Sequence, residues 1–384
     1  VSDVEHSSRL DRSDRSARPY RFYAAEISYF SGKVRPALRF KGIPFEEVLP
    51  TPEVYRDVIL PRTGLAFIPI VVTPEDETLQ DTSEILDWLE TRVPQPALYP
   101  TTPVQWIAAL LLELYADEFL LLPAMHYRWS FPESEAKARR DFVALAGDET
   151  GANQFADRMK GSLRALGVVP ESIPAIEAHL EELLDAFSAH LESHDFVLGS
   201  RPSLADCALM GPLYAHLWLD AVPGGLLRER APRVGAWIER MNAGAGRQGR
   251  FLPEPGAGDA ADDALPSSLR MLLTLAGRDA APLLLDSLAS FEAWADEHAT
   301  PGETPPRAVG FHETGLRGAR FSRYTSSYTP WMVQRAADAY AALGATERAA
   351  VDAALAGTGW EPLLARTPRH RVEKRGFQLV LAGS

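Results

Sequence analysis

Apolar and polar positions change period twice along the chain, and the changes divide it into three regions. In residues 19–95, short strand-like runs alternate with helical spacing. Residues 21–27 predict a strand. Residues 32–41 predict a short helix with Val34, Ala37, Leu38 and Phe40 on its apolar face, ended by Gly42 with Pro44 close behind. Residues 45–49 predict a second strand. The β-branched run 67–72 is followed by a turn at 73–76, after which 77–79 can pair with it, and 83–90 is helical. The order is β-α-β, then β-β-α.

Residues 103–242 carry helical spacing almost throughout. Thr102-Pro103 places a capping residue before a proline at the first helical position. Residues 173–191 repeat apolar positions at helical intervals. Residues 204–219 are apolar nearly all round and predict a central core helix, and 232–241 closes the set. Residues 243–264, rich in Gly, Ala, Asp and Pro, predict a linker. The third region, 265–384, predicts helices at 265–276, 281–298, 331–343 and 347–356 and strands at 308–311, 321–324 and 377–381. Residues 1–18 are rich in Ser, Asp and Arg, with no apolar stretch of the signal-peptide kind, and predict a disordered tail.

Composition narrows the function classes. The 384 residues suffice for two or three domains. With 39 Lys and Arg against 52 Asp and Glu, the net charge of -13 argues against non-specific nucleic-acid binding, which needs a basic face. A small anionic ligand remains open, because a helix N-terminus supplies a local positive site. The single cysteine, Cys207, excludes a disulfide framework and a cysteine-based zinc site within one chain, and points to the reducing cytoplasm. The most apolar stretch, 106–123, is broken by Glu113, Asp117 and Glu118, so no membrane span is expected.

Four segments carry chemistry or fold signals. Ser28-Tyr29-Phe30-Ser31-Gly32-Lys33-Val34-Arg35 places hydroxyls where a strand turns into a helix. Phe67-Ile68-Pro69-Ile70-Val71-Val72 opens a strand with proline. Leu79-Gln80-Asp81-Thr82-Ser83-Glu84-Ile85-Leu86 starts a helix with an acid and two hydroxyls. Gly199-Ser200-Arg201-Pro202-Ser203-Leu204-Ala205-Asp206 is a capping box in which Ser203 caps and Asp206 returns a hydrogen bond. In this order and spacing, the four segments resemble the glutathione S-transferase superfamily over residues 20–242.

The resemblance implies an α/β thioredoxin-like domain at 19–95, an all-α helical domain at 103–242, and an α+β C-terminal extension at 265–384 to which the family assigns no role. It implies glutathione as cosubstrate, no metal, and a homodimer. Ser28 then takes the place of the thiol-activating residue. A hydroxyl beside a helix N-terminus can hydrogen-bond a thiolate, and the helix dipole favours the anion, which lowers a thiol pKa from about 8.5 towards neutrality. Ser31 is the rival hydroxyl. Ile68, before a proline that is cis in the family, offers its backbone to the cysteinyl part of glutathione, as an added strand would. Asp81 pairs with the α-ammonium of the γ-glutamyl group, and Thr82 with the helix N-terminus holds its α-carboxylate. Tyr29, Tyr115 and His126 are expected around a pocket for a hydrophobic electrophile, His126 being equally readable as a satisfied core residue.

Transfer is the reaction the resemblance implies, with lyase, dehalogenase or isomerase chemistry available to the same site. A non-catalytic binding or scaffold protein is the alternative. Cys207, on the central helix, reads as an unreactive core thiol. His190 and His194 are four apart, but Glu192 and Ser193 between them predict an exposed helix end and not a metal site. The arginine–aromatic stretch 310–335 reads as an anion-binding or interface surface, or as a loop packed on the helical domain.

Overall fold

The computed structural model describes residues 18–252 and 263–383. The expected tail, apart from Arg18, and residues 253–262 of the expected linker lie outside these.

The first layer is a four-stranded sheet in the order β2-β1-β3-β4. β1 (Tyr20–Tyr23) runs parallel to β2 (Phe45–Val48) and antiparallel to β3 (Ile70–Val72), which pairs antiparallel with β4 (Thr78–Gln80). Helix α1 (Tyr29–Lys41) connects β1 to β2 and ends at Gly42, whose φ of 69° is the left-handed conformation that glycine tolerates. It begins three residues before the expected start because Ser28 accepts a hydrogen bond from the Ser31 N–H and caps it there. Helix α2 (Thr82–Arg92) follows β4.

The helical layer opens with α3 (Pro103–Leu114), one widened turn at Tyr115–Phe119, and α4 (Leu121–Trp129). Then come α5 (Pro132–Ala146), α6 (Glu149–Gly161), α7 (Ile173–His190) and the central α8 (Leu204–Met210), which continues in wide turns to Trp218. α9 (Ala221–Arg230) and α10 (Pro232–Asn242) complete the layer. The capping box of Ser203 and Asp206 forms as expected, with Asp206 also accepting from Trp237 Nε1 at 2.9 Å. The cap expected of Thr102 does not form. Asp263 instead accepts hydrogen bonds from the Val104 and Gln105 N–H groups, at 2.7 and 3.1 Å. A carboxylate brought from far along the chain answers the free amides and the helix dipole better than the local hydroxyl.

In the extension, the expected helices 265–276 and 281–298 are one helix, α11 (Ser267–His298), with Pro282 inside it. Gly277, which breaks the pattern, is a packing position: a Cβ there would lie 2.2 Å from the Thr358 carbonyl oxygen and 2.9 Å from the Trp360 ring. Two antiparallel hairpins follow, β5 (Ala308–Leu316) with β6 (Ala319–Ser326) and β7 (Val372–Arg375) with β8 (Gln378–Leu381). Between them stand α12 (Thr329–Ala341) and α13 (Ala345–Leu355). Thr329 opens α12 without capping it. Its hydroxyl donates to Glu118 Oε2 at 2.6 Å, across to the helical layer.

One hydrophobic cluster runs from Phe22 and Leu38 through Leu111 and Leu180 to Leu273, Met332 and Trp360. The extension is therefore continuous with the core. Residues 243–252 also pack: Leu252 N–H donates to Leu198 O, Gln105 Nε2 donates to Leu252 O, and Arg201 lies 5.0 Å from the Phe251 ring. Among the described residues, no helix is long and apolar enough to cross a membrane.

Candidate functional site

The sheet brings three of the four sequence segments to one end. β1 runs towards Ser28, while β3, paired Tyr23 to Ile70, is entered from Ile68-Pro69 at that same end. β4, paired Gln80 to Ile70, finishes there and delivers Asp81 and Thr82. The Ile68-Pro69 peptide is cis. Ser28 is half-buried at the N-terminus of α1, its Oγ 3.3 Å from the Ser31 N–H that it accepts from. Ser31 is fully buried, and its Oγ accepts from the Ala25 N–H. Asp81 caps α2 from a left-handed φ of 77°, its Oδ1 accepting from the Ser83 and Glu84 N–H groups. Thr82 is buried beside it and Ile68 is half-buried.

The proposed pocket residues are placed less openly. Tyr29 is buried and its hydroxyl donates to Ala116 O at 2.5 Å; burial, with Asp117 nearby, holds that hydroxyl far above its usual pKa. Tyr115 is 1% exposed, and its hydroxyl meets His179 Nε2 at 2.5 Å; His179 Nδ1 in turn contacts Asp279 of α11 at 2.7 Å. His126 is 2% exposed, with Nδ1 on Ser130 Oγ and Nε2 on Glu177 Oε1. The polar atoms of Tyr115 and His126 are thus committed to protein partners. A hollow of about 490 Å³ does open on the sheet, but at its other end, among Arg21, Glu46 and residues 73–76.

Beside the candidate site lies a buried ionic cluster that sequence spacing did not reveal. Lys33 of α1, 0% exposed, donates to Asp117 Oδ2 at 2.5 Å, Glu113 Oε1 at 2.8 Å and Ser83 Oγ at 3.1 Å. Arg335 of α12 reaches the same Glu113 at 3.3 Å and forks onto Asp87 at 2.7 and 3.0 Å. Burial would raise the Glu113 carboxyl, but Arg335 and Lys33 outweigh it and hold it low. Burial and the neighbouring Glu113 hold Asp117 above its ordinary range against the pull of Lys33. The cluster ties α1, α2, α3 and the extension together.

Sequence reasoning also missed what the extension brings to Asp81. Its Oδ2 accepts from Tyr328 Oη at 2.6 Å and from Lys374 Nζ at 2.7 Å. Arg307 sits 4.4 Å from the ring of Phe67, next to Ile68. Tyr328 lay within the arginine–aromatic stretch, but Lys374, in a Glu-Lys-Arg run, gave no signal. Of the remaining candidates, Cys207 is fully buried and burial pushes its thiol pKa far up, so it is unreactive. His190 is bonded to Ser268 and Val197, and no group of metal-ligating side chains occurs among the described residues.

The architecture is a thioredoxin-like sheet with a hydroxyl, a cis-proline and an acid-capped helix at one end, backed by a helical domain. Family models agree: that of the glutathione S-transferase N-terminal domain matches residues 22–97, and that of the C-terminal domain matches residues 170–240. Residues 22–97 and 170–240 thus carry the N- and C-terminal domains of the glutathione S-transferase superfamily, and residues 243–384 lie outside both matches.

Among solved structures, a glutathione S-transferase from Rhodospirillum rubrum F11 is 18% identical, covering 66% of this chain and 92% of its own, with a TM-score of 0.41. One from Methylobacterium radiotolerans, in complex with glutathione sulfonate, is 25% identical over 60% of this chain and 93% of its own, with a TM-score of 0.39. The beta-etherase LigF from Sphingobium sp. strain SYK-6 is 16% identical over 60% and 98%, with a TM-score of 0.43. No curated protein matches the chain.

Proposed function

We propose that the protein is a glutathione-dependent transferase in which Ser28 activates the glutathione thiol for attack on a hydrophobic electrophile. The observation that carries this reading is the convergence of Ser28, Ile68-Pro69 and Asp81-Thr82 at one end of the sheet. Ser28 is the half-buried hydroxyl of the pair, and the Ser31 hydroxyl is enclosed. Ser28 Oγ, by donating to the sulfur at the N-terminus of α1, stabilises the thiolate. The Ile68 backbone pairs with the cysteinyl unit, and the N-terminus of α2 with Thr82 takes a carboxylate. The electrophile packs on the side walled by Tyr29. Tyr115 and His126 contribute apolar surface at most, since their polar atoms already have protein partners. A homodimer in the reducing cytoplasm belongs to the same reading.

Ser28→Ala should lower turnover by at least tenfold while leaving glutathione affinity within about threefold, because the hydroxyl acts on the thiolate. Ser31→Ala with that same profile, and Ser28→Ala at full activity, would transfer the role to Ser31. Glutathione at 100 times its dissociation constant should stabilise the protein by about 2.7 kcal/mol. A binding protein without catalysis is the second reading. It is favoured by one observation, the engagement of Asp81 by Tyr328 and Lys374. Lyase, dehalogenase or isomerase activity would use the same thiolate and is separated from transfer by product analysis.

A further inference from the structure

The Asp81 carboxylate has no oxygen left for a ligand. Oδ1 is taken by the Ser83 and Glu84 amides, and Oδ2 by the Tyr328 hydroxyl and the Lys374 ammonium. Lys374 is not a loosely placed surface chain. Its side chain is 9% exposed, and its ammonium stands 5.5 Å from the Tyr328 ring, 5.8 Å from the Trp331 ring and 4.0 Å from Glu84 Oε2. The elements that present these residues are fixed. Gln334 exchanges two hydrogen bonds with the Val372 backbone, Val372 and Leu381 pack on Phe291 and Ala295, and Arg335 anchors α12 to Asp87 and Glu113.

We propose that Tyr328 and Lys374 are specificity-determining residues of this site. They set it against a thiol cosubstrate that carries an ammonium at the Asp81 end, and in favour of one whose end there is uncharged or anionic. The inference rests on the reading of the site as one for a thiol peptide, and narrows it. An incoming α-ammonium meets a carboxylate already neutralised by a cation at 2.7 Å, and is repelled by that cation. A ligand carboxylate meets the opposite situation. With the Ser83 and Glu84 amides held by Asp81, it finds the Thr82 N–H and hydroxyl, the positive end of the α2 dipole and the N–H groups of Lys374 not directed at Asp81. The extension thereby turns a zwitterion site into a carboxylate site. Glutathione is held through its carboxylates and cysteinyl unit, and its amino group is the part the site resists.

The test is calorimetric titration of the full-length protein with glutathione and with its des-amino analogue, in which hydrogen replaces the α-ammonium. The wild type should bind the analogue at least tenfold more tightly than glutathione. Lys374→Met, whose side chain still fills the slot between Tyr328 and Trp331, should bind glutathione at least tenfold more tightly than the wild type and lose the preference. Lys374→Arg, which keeps the charge, should keep the preference. Wild type that binds glutathione as tightly as the analogue, with affinity unchanged or lowered in Lys374→Met, overturns the inference and leaves the thiol-transferase reading standing. No binding of either ligand to wild type or to a normally melting Lys374→Met ends both.

Discussion

Replacing Lys33 by methionine tests how the buried ionic cluster supports the site. The methionine roughly conserves the volume of the lysine stem and removes the ammonium. Glu113 and Asp117, 1% and 2% exposed in their side chains, then have one remaining cation, Arg335, which is bound to Asp87 and reaches Glu113 but not Asp117. Breaking a buried pair by removing one partner costs about 3–5 kcal/mol, because the surviving charge stays desolvated. With unfolding entropy near 2.1 cal/mol/K per residue, 384 residues correspond to about 0.8 kcal/mol/K, so Tm should fall by about 4–6 °C.

The loss should depend on pH with a defined sign. Without Lys33, the Asp117 carboxyl, already held above its ordinary range by burial and Glu113, is pushed further up, and Glu113 loses part of what holds it low. Stability is then present at low pH and lost as pH rises through the ordinary carboxylate range and beyond. Scanning calorimetry of wild type and Lys33→Met at pH 5 and pH 8 should show the larger gap at pH 8. Adding Asp117→Asn should recover part of the loss. A Tm within 1 °C of wild type at pH 8, or a gap that widens towards pH 5, would refute the reasoning.

Three further outcomes follow from other parts of the chain. Gly277→Ala should cost about 1–3 kcal/mol in urea unfolding, although alanine is the better helix former, because its Cβ would lie 2.2 Å from Thr358 O; a stabilised variant contradicts the packing. His190, with its pKa lowered to about 4 by burial and by His194, must stay neutral in the fold. The stability this contributes is present above pH 6.5 and lost as pH falls towards 4, by about 3 kcal/mol in all, and His190→Asn should flatten that acid limb in urea midpoints. A chain ending at residue 252 should aggregate or melt well below the full protein, since it uncovers the core face completed by Met332 and Trp360 and strips Arg335 from Glu113. An unchanged melting temperature would show the extension to be independent.

Local chemistry alone determined the order of strands and helices through residue 95, the helical character of 103–242, the Gly42 stop and the Ser203–Asp206 box. Each of these is written in neighbouring residues: a period, a cap, a glycine with positive φ, or a proline opening a strand. Where the sequence misled, a distant part of the chain had displaced the local signal. Asp263 caps α3 in place of Thr102, and Gly277 accommodates Trp360 in place of ending a helix. Tertiary structure alone decided that Lys33, Glu113, Asp117 and Arg335 meet, and that Lys374 lies on Asp81, 293 positions away. Spacing carries no trace of such contacts, because an ion pair between elements far apart in the chain leaves no periodicity in either of them. It is the burial of both partners against one continuous core that selects them.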